Sequence, residues 1–144
     1  MSKPSPDHHD AELILKFYDL RREAVMRESR DTIIGQCWPR SLDDALAITR
    51  PEHPHNRPFR QVATYWEMVY GMAKYGVVNT DFLLESNAEG LFVYARFEPY
   101  IAAMREQYNP RVFEKAEWIS SQGPLAEKLM TSFRKRIKAK LESL

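Results

Sequence analysis

Apolar residues recur every three or four positions through most of the chain, while strict apolar/polar alternation is rare, a pattern that predicts helices and almost no strand. Ser5 and Pro6 suit a cap and a first helical position. After them Leu13, Ile14, Phe17, Leu20, Ala24 and Val25 fall on one side. Glu12 with Lys16 and Glu23 with Arg27 are spaced as ion pairs on the opposite side, so a first helix is expected from about Asp7 to about Arg30. Gly35 and Pro39 then interrupt an apolar stretch containing Ile33, Ile34, Trp38 and Leu42. Ser41 with Asp44 resembles a capping box for a short helix that ends before Pro51. Three prolines between Arg50 and Pro58 predict a stiff, extended loop carrying His53 and His55.

Phe59 to Tyr75 is apolar on most sides and reads as a central helix, with Gly76 as its stop. Asn79 or Thr80 can cap a short turn bearing Phe82, Leu83 and Leu84, and Asn87 either opens another helix or sits inside a continuous one. Leu91 to Met104, with Phe92, Tyr94, Phe97 and Tyr100, reads as the second central helix. Pro99 has no N–H for the Ala95 carbonyl, so this helix should kink or split near Glu98. Pro110 is expected to open a helix presenting Val112, Phe113, Ala116 and Ile119. Beyond Gly123-Pro124, the stripe Leu125, Leu129, Phe133, Ile137 and Leu141 should wind around a final helix, because each step of four overshoots a turn by about 40°. The fold class that follows is all-α: a single-domain irregular helical bundle of about five to seven helices. The two aromatic-rich helices form its centre, and the first and last pack outside. A polar tail at about residues 1–6 and the Pro/His-rich loop at about 50–58 complete it.

The composition leaves this picture unchanged but narrows function. With 44% hydrophobic and 28% charged residues, the 144-residue chain has material for one core and lacks the signature of disorder. Its 21 basic and 20 acidic residues create no global field for nucleic acid or an anionic membrane, so nucleic-acid binding is not expected. Met1 to Asp10 lacks a secretory pattern, and the longest apolar run, Leu91 to Ala95, is far short of the ~20 residues a membrane span needs. No membrane association and a cytoplasmic location are expected. Cys37 is the only cysteine, which rules out an intramolecular disulfide or a cysteine-based zinc cluster within one chain.

Candidate chemistry is sparse. His8, His9, His53 and His55 have no helical ligand spacing, so they read as solvent-exposed loop histidines, with no metal and no cofactor expected. Cys37, near Arg40, has no base at a recognisable spacing and reads as an inert thiol; no catalytic residue is assigned. Arg134, Lys135, Arg136, Lys138 and Lys140 make a candidate basic interaction face, although cations also suit the C-terminal end of a helix. Glu67 and Arg96 are more informative because each interrupts an apolar central helix. They are expected to face one another, or Arg21, Arg22 or Glu28 of the first helix, in a partly buried ion pair that holds register. Tyr65, Trp66, Tyr70, Phe92, Tyr94, Phe97 and Tyr100 either fill the core or line an apolar ligand pocket between the central helices.

The run Tyr65-Trp66-Glu67, then Tyr75-Gly76-Val77-Val78, Phe82-Leu83-Leu84, Tyr100-Ile101, Arg105, Asn109-Pro110 and Phe113-Glu114, resembles a family of uncharacterised bacterial helical proteins. The likeness covers roughly Phe59 to Ile119, and Asp31 to Pro58 has no counterpart in it. It implies an all-helical fold and a bacterial, cytoplasmic setting, and it transfers no active-site residue. Two functional readings follow. The first is a non-enzymatic interaction or regulatory protein with a protein partner, or a homo-oligomer joined through an apolar strip on the first or last helix. The alternative is a ligand-binding sensor or enzyme with Glu67 and Arg96 in an aromatic-lined pocket.

Overall fold

The computed structural model describes residues 3–144. Its helices are α1 (His8–Arg22), α2 (Ala24–Gln36), α3 (Leu42–Ala47), α4 (Asn56–Lys74), α5 (Thr80–Ser86), α6 (Glu89–Phe97), α7 (Ile101–Gln107), α8 (Glu114–Ile119) and α9 (Pro124–Ser143), with a 3₁₀ turn at Glu98–Tyr100 between α6 and α7. The described residues contain no strand. The all-α irregular bundle is therefore the fold of this chain. It has more helices than the periodicity suggested because two of the expected helices are divided.

The first division falls at Glu23. Asp7, rather than Ser5, caps α1 by accepting from the Asp10 N–H at 3.2 Å. Glu23 then leaves helical geometry with ψ 139°, and its carboxylate accepts from the N–H groups of Val25 and Met26 at 3.1 and 3.0 Å. A residue that looked like half of an i,i+4 pair with Arg27 instead caps a new helix. The second division falls at Pro99, where α6 gives way to the 3₁₀ turn as the missing N–H requires.

Two other boundaries move. α4 begins at Asn56, inside the expected extended loop, because Pro58 lies in the first helical turn, where an N–H has no intrahelical partner to lose. The buried Asn56 amide anchors this start by donating to the Ile48 carbonyl at 2.9 Å. Pro110 does not open a helix. The Asn109 side chain accepts from the Arg111 N–H at 2.9 Å in a turn, Phe113 takes a left-handed φ of 56°, and α8 starts only at Glu114. Elsewhere the caps are as read: Ser41 accepts from the Asp44 N–H and Asn79 from the Phe82 N–H. Asn87 ends α5.

α4 and α6 occupy the interior. Their aromatic rings meet around Phe113, whose ring lies 6.0 Å from Phe59 of α4 and 5.4 Å from Phe97 of α6, with Phe59 and Phe97 themselves 5.3 Å apart. Near the other end, Gly90 of α6 packs on Trp66 so closely that an added Cβ would lie 2.6 Å from the indole and from the Tyr70 hydroxyl. α2 and α8 flank α4, and α9 crosses α6 with Ala126, Met130, Phe133 and Ile137 buried. That buried line steps by four, three and four, so it keeps to one side of α9, while Leu125, Leu129 and Leu141 of the expected winding stripe are only half-buried. No helix among the described residues is long and apolar enough to cross a membrane.

The polar tail is tied down from Lys3 onward. The Lys3 ammonium reaches Asp7 at 2.8 Å and the fully buried Asp10 at 2.5 Å, Asp10 accepts from the Asn79 N–H, and the Asn79 side chain donates to the Lys3 carbonyl. The first two residues of that tail lie outside the described residues.

Candidate functional site

Glu67 and Arg96 do not form the expected ion pair. Glu67, half-buried on α4, reaches across to α8, where its two oxygens accept from the N–H groups of Lys115 and Ala116 at 2.8 and 2.9 Å. Phe113, the residue preceding α8, offers no side-chain cap, so a carboxylate from another helix neutralises the exposed donors and the positive end of the dipole. Burial pushes the Glu67 carboxyl above its ordinary range, against the opposing pull of those two donors.

Arg96 is deeper, only 3% exposed, and faces the C-terminal end of α2. Its Nη1 donates to the carbonyls of Ile33 and Cys37 at 2.8 and 2.9 Å. Its guanidinium carbon sits 3.6 Å over the ring of Trp38 and 4.7 Å from that of Phe92. The Nε and Nη2 groups are also buried, but neither has a hydrogen-bond partner. Burial lowers the guanidinium to about 10, and the nearby charge of Arg136 pushes the same way.

Of the alternative partners, Glu28 is exposed on α2 and the two arginines of α1 are engaged elsewhere. Arg21 donates to the Asn87 side chain and Arg22 lies over Tyr18. Polar register across the helices is carried instead by pairings the sequence did not single out. Arg30 grips Glu89 through Nε and Nη2 at 2.7 and 2.8 Å, Tyr65 donates to the Phe17 carbonyl, and Tyr70 donates to the Asn87 carbonyl while accepting from the Leu91 N–H. These contacts span 17 to 59 residues, so no short-range spacing could reveal them.

The basic face divides into two flanks of α9. On one flank, Arg136 lies 4.5 Å over Phe92 and the Lys140 ammonium 5.7 Å over Trp38, so they share with Arg96 the rings on which it rests. On the other, Arg134 and Lys138 border a groove of about 670 Å³ floored by Ala95, Pro99, Ile137 and Leu141, with Arg40 on its far rim. Arg134 is held there by a two-point contact with Glu98 at 2.8 Å through both Nε and Nη2. All five cations of the face are exposed.

His53 and His55 differ from the expected exposed pair. Both are half-buried, with ring centroids 5.3 Å apart, and they line a small cavity of about 220 Å³ with Cys37, Trp38 and Asp44. The His53 Nδ1 accepts from the His55 N–H, and His55 Nε2 lies 3.2 Å from the Gln36 side chain, so the two rings are engaged locally. His8 and His9 are exposed on α1. The described residues contain no group of three metal-ligating side chains. The Cys37 thiol is buried, which raises it to about 12 and keeps it protonated at neutral pH. No aromatic pocket lies in the Trp66–Gly90 seam, which is filled to contact.

Residues 6–121 match the model of a family described as a domain of unknown function (DUF4760). The chain belongs to this family. No curated protein and no solved structure matches it. The DUF4760 match includes Glu67, Arg96 and Trp38, and it extends through Asp31–Pro58, the segment the resemblance left unplaced. It ends before α9, so both flanks of the basic face combine residues inside the DUF4760 match with residues beyond it.

Proposed function

We propose that the protein is a cytoplasmic, non-enzymatic interaction module that holds an acidic amphipathic segment of a partner protein in the groove beside α9. The observation that carries this reading is the groove itself: an apolar floor of Ala95, Pro99, Ile137 and Leu141 beneath a rim that includes Arg40 and Lys138. Of the five α9 cations, Arg134 and Lys138 border it; Glu98, which Arg134 holds, and Glu142 line it as well. Apolar side chains on one face of a partner helix would fill the floor, and its acidic residues would meet the rim. The apolar floor favours protein over nucleic acid, which would be held chiefly at its phosphates.

The groups best suited to acid–base or nucleophilic work support a non-catalytic role because they are committed. Both Glu67 oxygens cap α8, and the Cys37 thiol is held protonated. A single cysteine, kept reduced, fits the cytoplasm.

The test uses the full chain and a labelled 20-residue helix-forming peptide with leucines at i, i+3, i+4 and i+7 and glutamates elsewhere, followed by fluorescence anisotropy. Saturable binding is expected, weakening at higher salt, and falling about tenfold in the double variant Arg40→Glu, Lys138→Glu. Equal binding of a scrambled peptide would overturn the proposal. So would stronger binding of single-stranded nucleic acid, or a concentration-dependent doubling of mass that the same two substitutions abolish.

A further inference from the structure

Three arginines in this chain use the same edge of the guanidinium differently. Arg30 and Arg134 each direct the Nε/Nη2 edge at a carboxylate, Glu89 and Glu98 respectively, with all four contacts between 2.7 and 2.8 Å. That edge carries two parallel N–H bonds that match the two oxygens of a carboxylate. Arg96 uses Nη1 on backbone carbonyls, and its Nε/Nη2 edge, the one that takes carboxylates elsewhere in the molecule, is buried and unpartnered. The carboxylate whose charge it feels, Glu89, is already held at two points by Arg30.

The surroundings of Arg96 add to this. Arg136 and Lys140 lie over the same rings as Arg96, and among the described residues none of the three is paired with a carboxylate. The result is three positive charges around two aromatic side chains, an arrangement whose mutual repulsion an anion would relieve. The indole Nε1 of Trp38 is a further buried donor without a partner.

We propose that the Arg96 Nε/Nη2 edge, with Arg136 and Lys140 of α9, forms a binding site for a carboxylate ligand. Arg136 and Lys140, both long and exposed, lie over the rings on which Arg96 rests, and the ligand would enter from that side. Because Arg96 lies against the Trp38 ring, a group in line with that edge runs along the indole face, which suits a flat carboxylate better than a tetrahedral phosphoryl group. The site is on the opposite flank of α9 from the groove, and the inference goes beyond the groove reading without depending on it.

Nuclear magnetic resonance of the ¹⁵N-labelled full chain tests it directly through the Arg Nε–H resonances. Titration with sodium acetate and sodium succinate, at ionic strength held constant with sodium chloride, should move the Arg96 resonance saturably and leave those of Arg30 and Arg134 nearly still. The double variant Arg136→Gln, Lys140→Gln changes only exposed side chains. It should weaken the succinate Kd about tenfold. Arg96→Lys keeps a cation but loses the paired donors, and serves to assign the resonance where it folds.

A shift that stays linear with concentration, or equals that with chloride alone, overturns the site. An unchanged Kd in the double variant does the same, and saturation by sodium phosphate with none by either carboxylate overturns the ligand class. The acidic peptide separates the two sources of carboxylate. If it moves Arg96 at lower concentration than succinate, the group comes from a partner's side chain; if only succinate moves it, the ligand is a free small acid. A peptide lost in the Arg40→Glu, Lys138→Glu variant while succinate still binds would separate the groove from this site.

Discussion

Glu67 and Arg96 hold corresponding places in the bundle and meet opposite outcomes. Each is a charged residue flanked by apolar ones on an interior helix, and each is turned toward the end of a different helix: a carboxylate at the N-terminus of α8, a guanidinium at the C-terminus of α2. Both placements have the sign that the helix dipole favours. The Glu67 arrangement is complete, with both oxygens occupied by backbone donors. The Arg96 arrangement is half complete, with one nitrogen occupied and two buried nitrogens unpartnered. Burying charge is costly unless its hydrogen-bonding capacity is met, so the complete seat reads as architecture and the incomplete one as a place for chemistry from outside.

The largest effect expected from breaking this comparison comes from Arg96→Ala. It would orphan the Cys37 carbonyl, leave the Ile33 carbonyl with the Cys37 N–H alone, and open a void between Trp38 and Phe92, costing about 3 kcal/mol in urea unfolding. A loss below about 1 kcal/mol would mean that relief of the buried charge balances those contacts. The seam between the two seats should be almost as sensitive. Gly90→Ala drives a methyl into Trp66 and the Tyr70 hydroxyl, and overpacking there should cost about 2 kcal/mol by the same measurement.

Glu67→Ala should cost less, about 1 kcal/mol, and locally: amide exchange at Lys115 and Ala116 should accelerate before the rest of the bundle responds. Its pH dependence sharpens the point. Burial raises the Glu67 carboxyl, so the folded chain holds that proton more tightly than the unfolded chain does. The resulting contribution to stability is fully present below the unfolded value, near 4.5, and is lost as pH rises through the raised folded value. Glu67→Gln should remove that downward slope, which paired urea titrations from pH 4 to 6 can measure.

The smallest perturbation uses Cys37 as a reporter beneath the Arg96 seat. With its thiol raised to about 12, alkylation of the folded chain at pH 7 to 8 should be about a hundredfold or more slower than that of the urea-unfolded chain, both rates rising with pH as the thiolate fraction does. A folded-chain rate close to the unfolded one would show that the seat opens readily. A carboxylate bound at Arg96 should slow alkylation further.

Much of the bundle was legible because helices announce themselves locally. Ser41 and Asn79 lie at the start of their helices, Pro99 divides its helix where its missing N–H predicts, and the residues around Phe59, Val62, Trp66 and Val69 are buried as their spacing implies. Glu23 and Pro110 misled for a common reason. A Glu four residues before an Arg, or a Pro after an Asn, fits more than one local structure, and in the fold both α2 and α8, which follow these positions, pack against α4. The candidate site was legible only as residue types. Glu67 and Arg96 stood out as charges in apolar surroundings, yet the inferred partnership was wrong because each found backbone groups at a helix end.

The sequence by itself determined that this chain is helical, where several of its helices begin, and much of the core, since these depend on propensity, periodicity and caps within a turn or two. Leu20 and Val25 of the expected inward side are nonetheless exposed. Only the tertiary structure decided which helix end each buried charge would face, and that Arg96, Arg136 and Lys140 would gather on Trp38 and Phe92. Backbone carbonyls and N–H groups are the same at every residue, so nothing in a side-chain pattern marks which of them a distant charge will find.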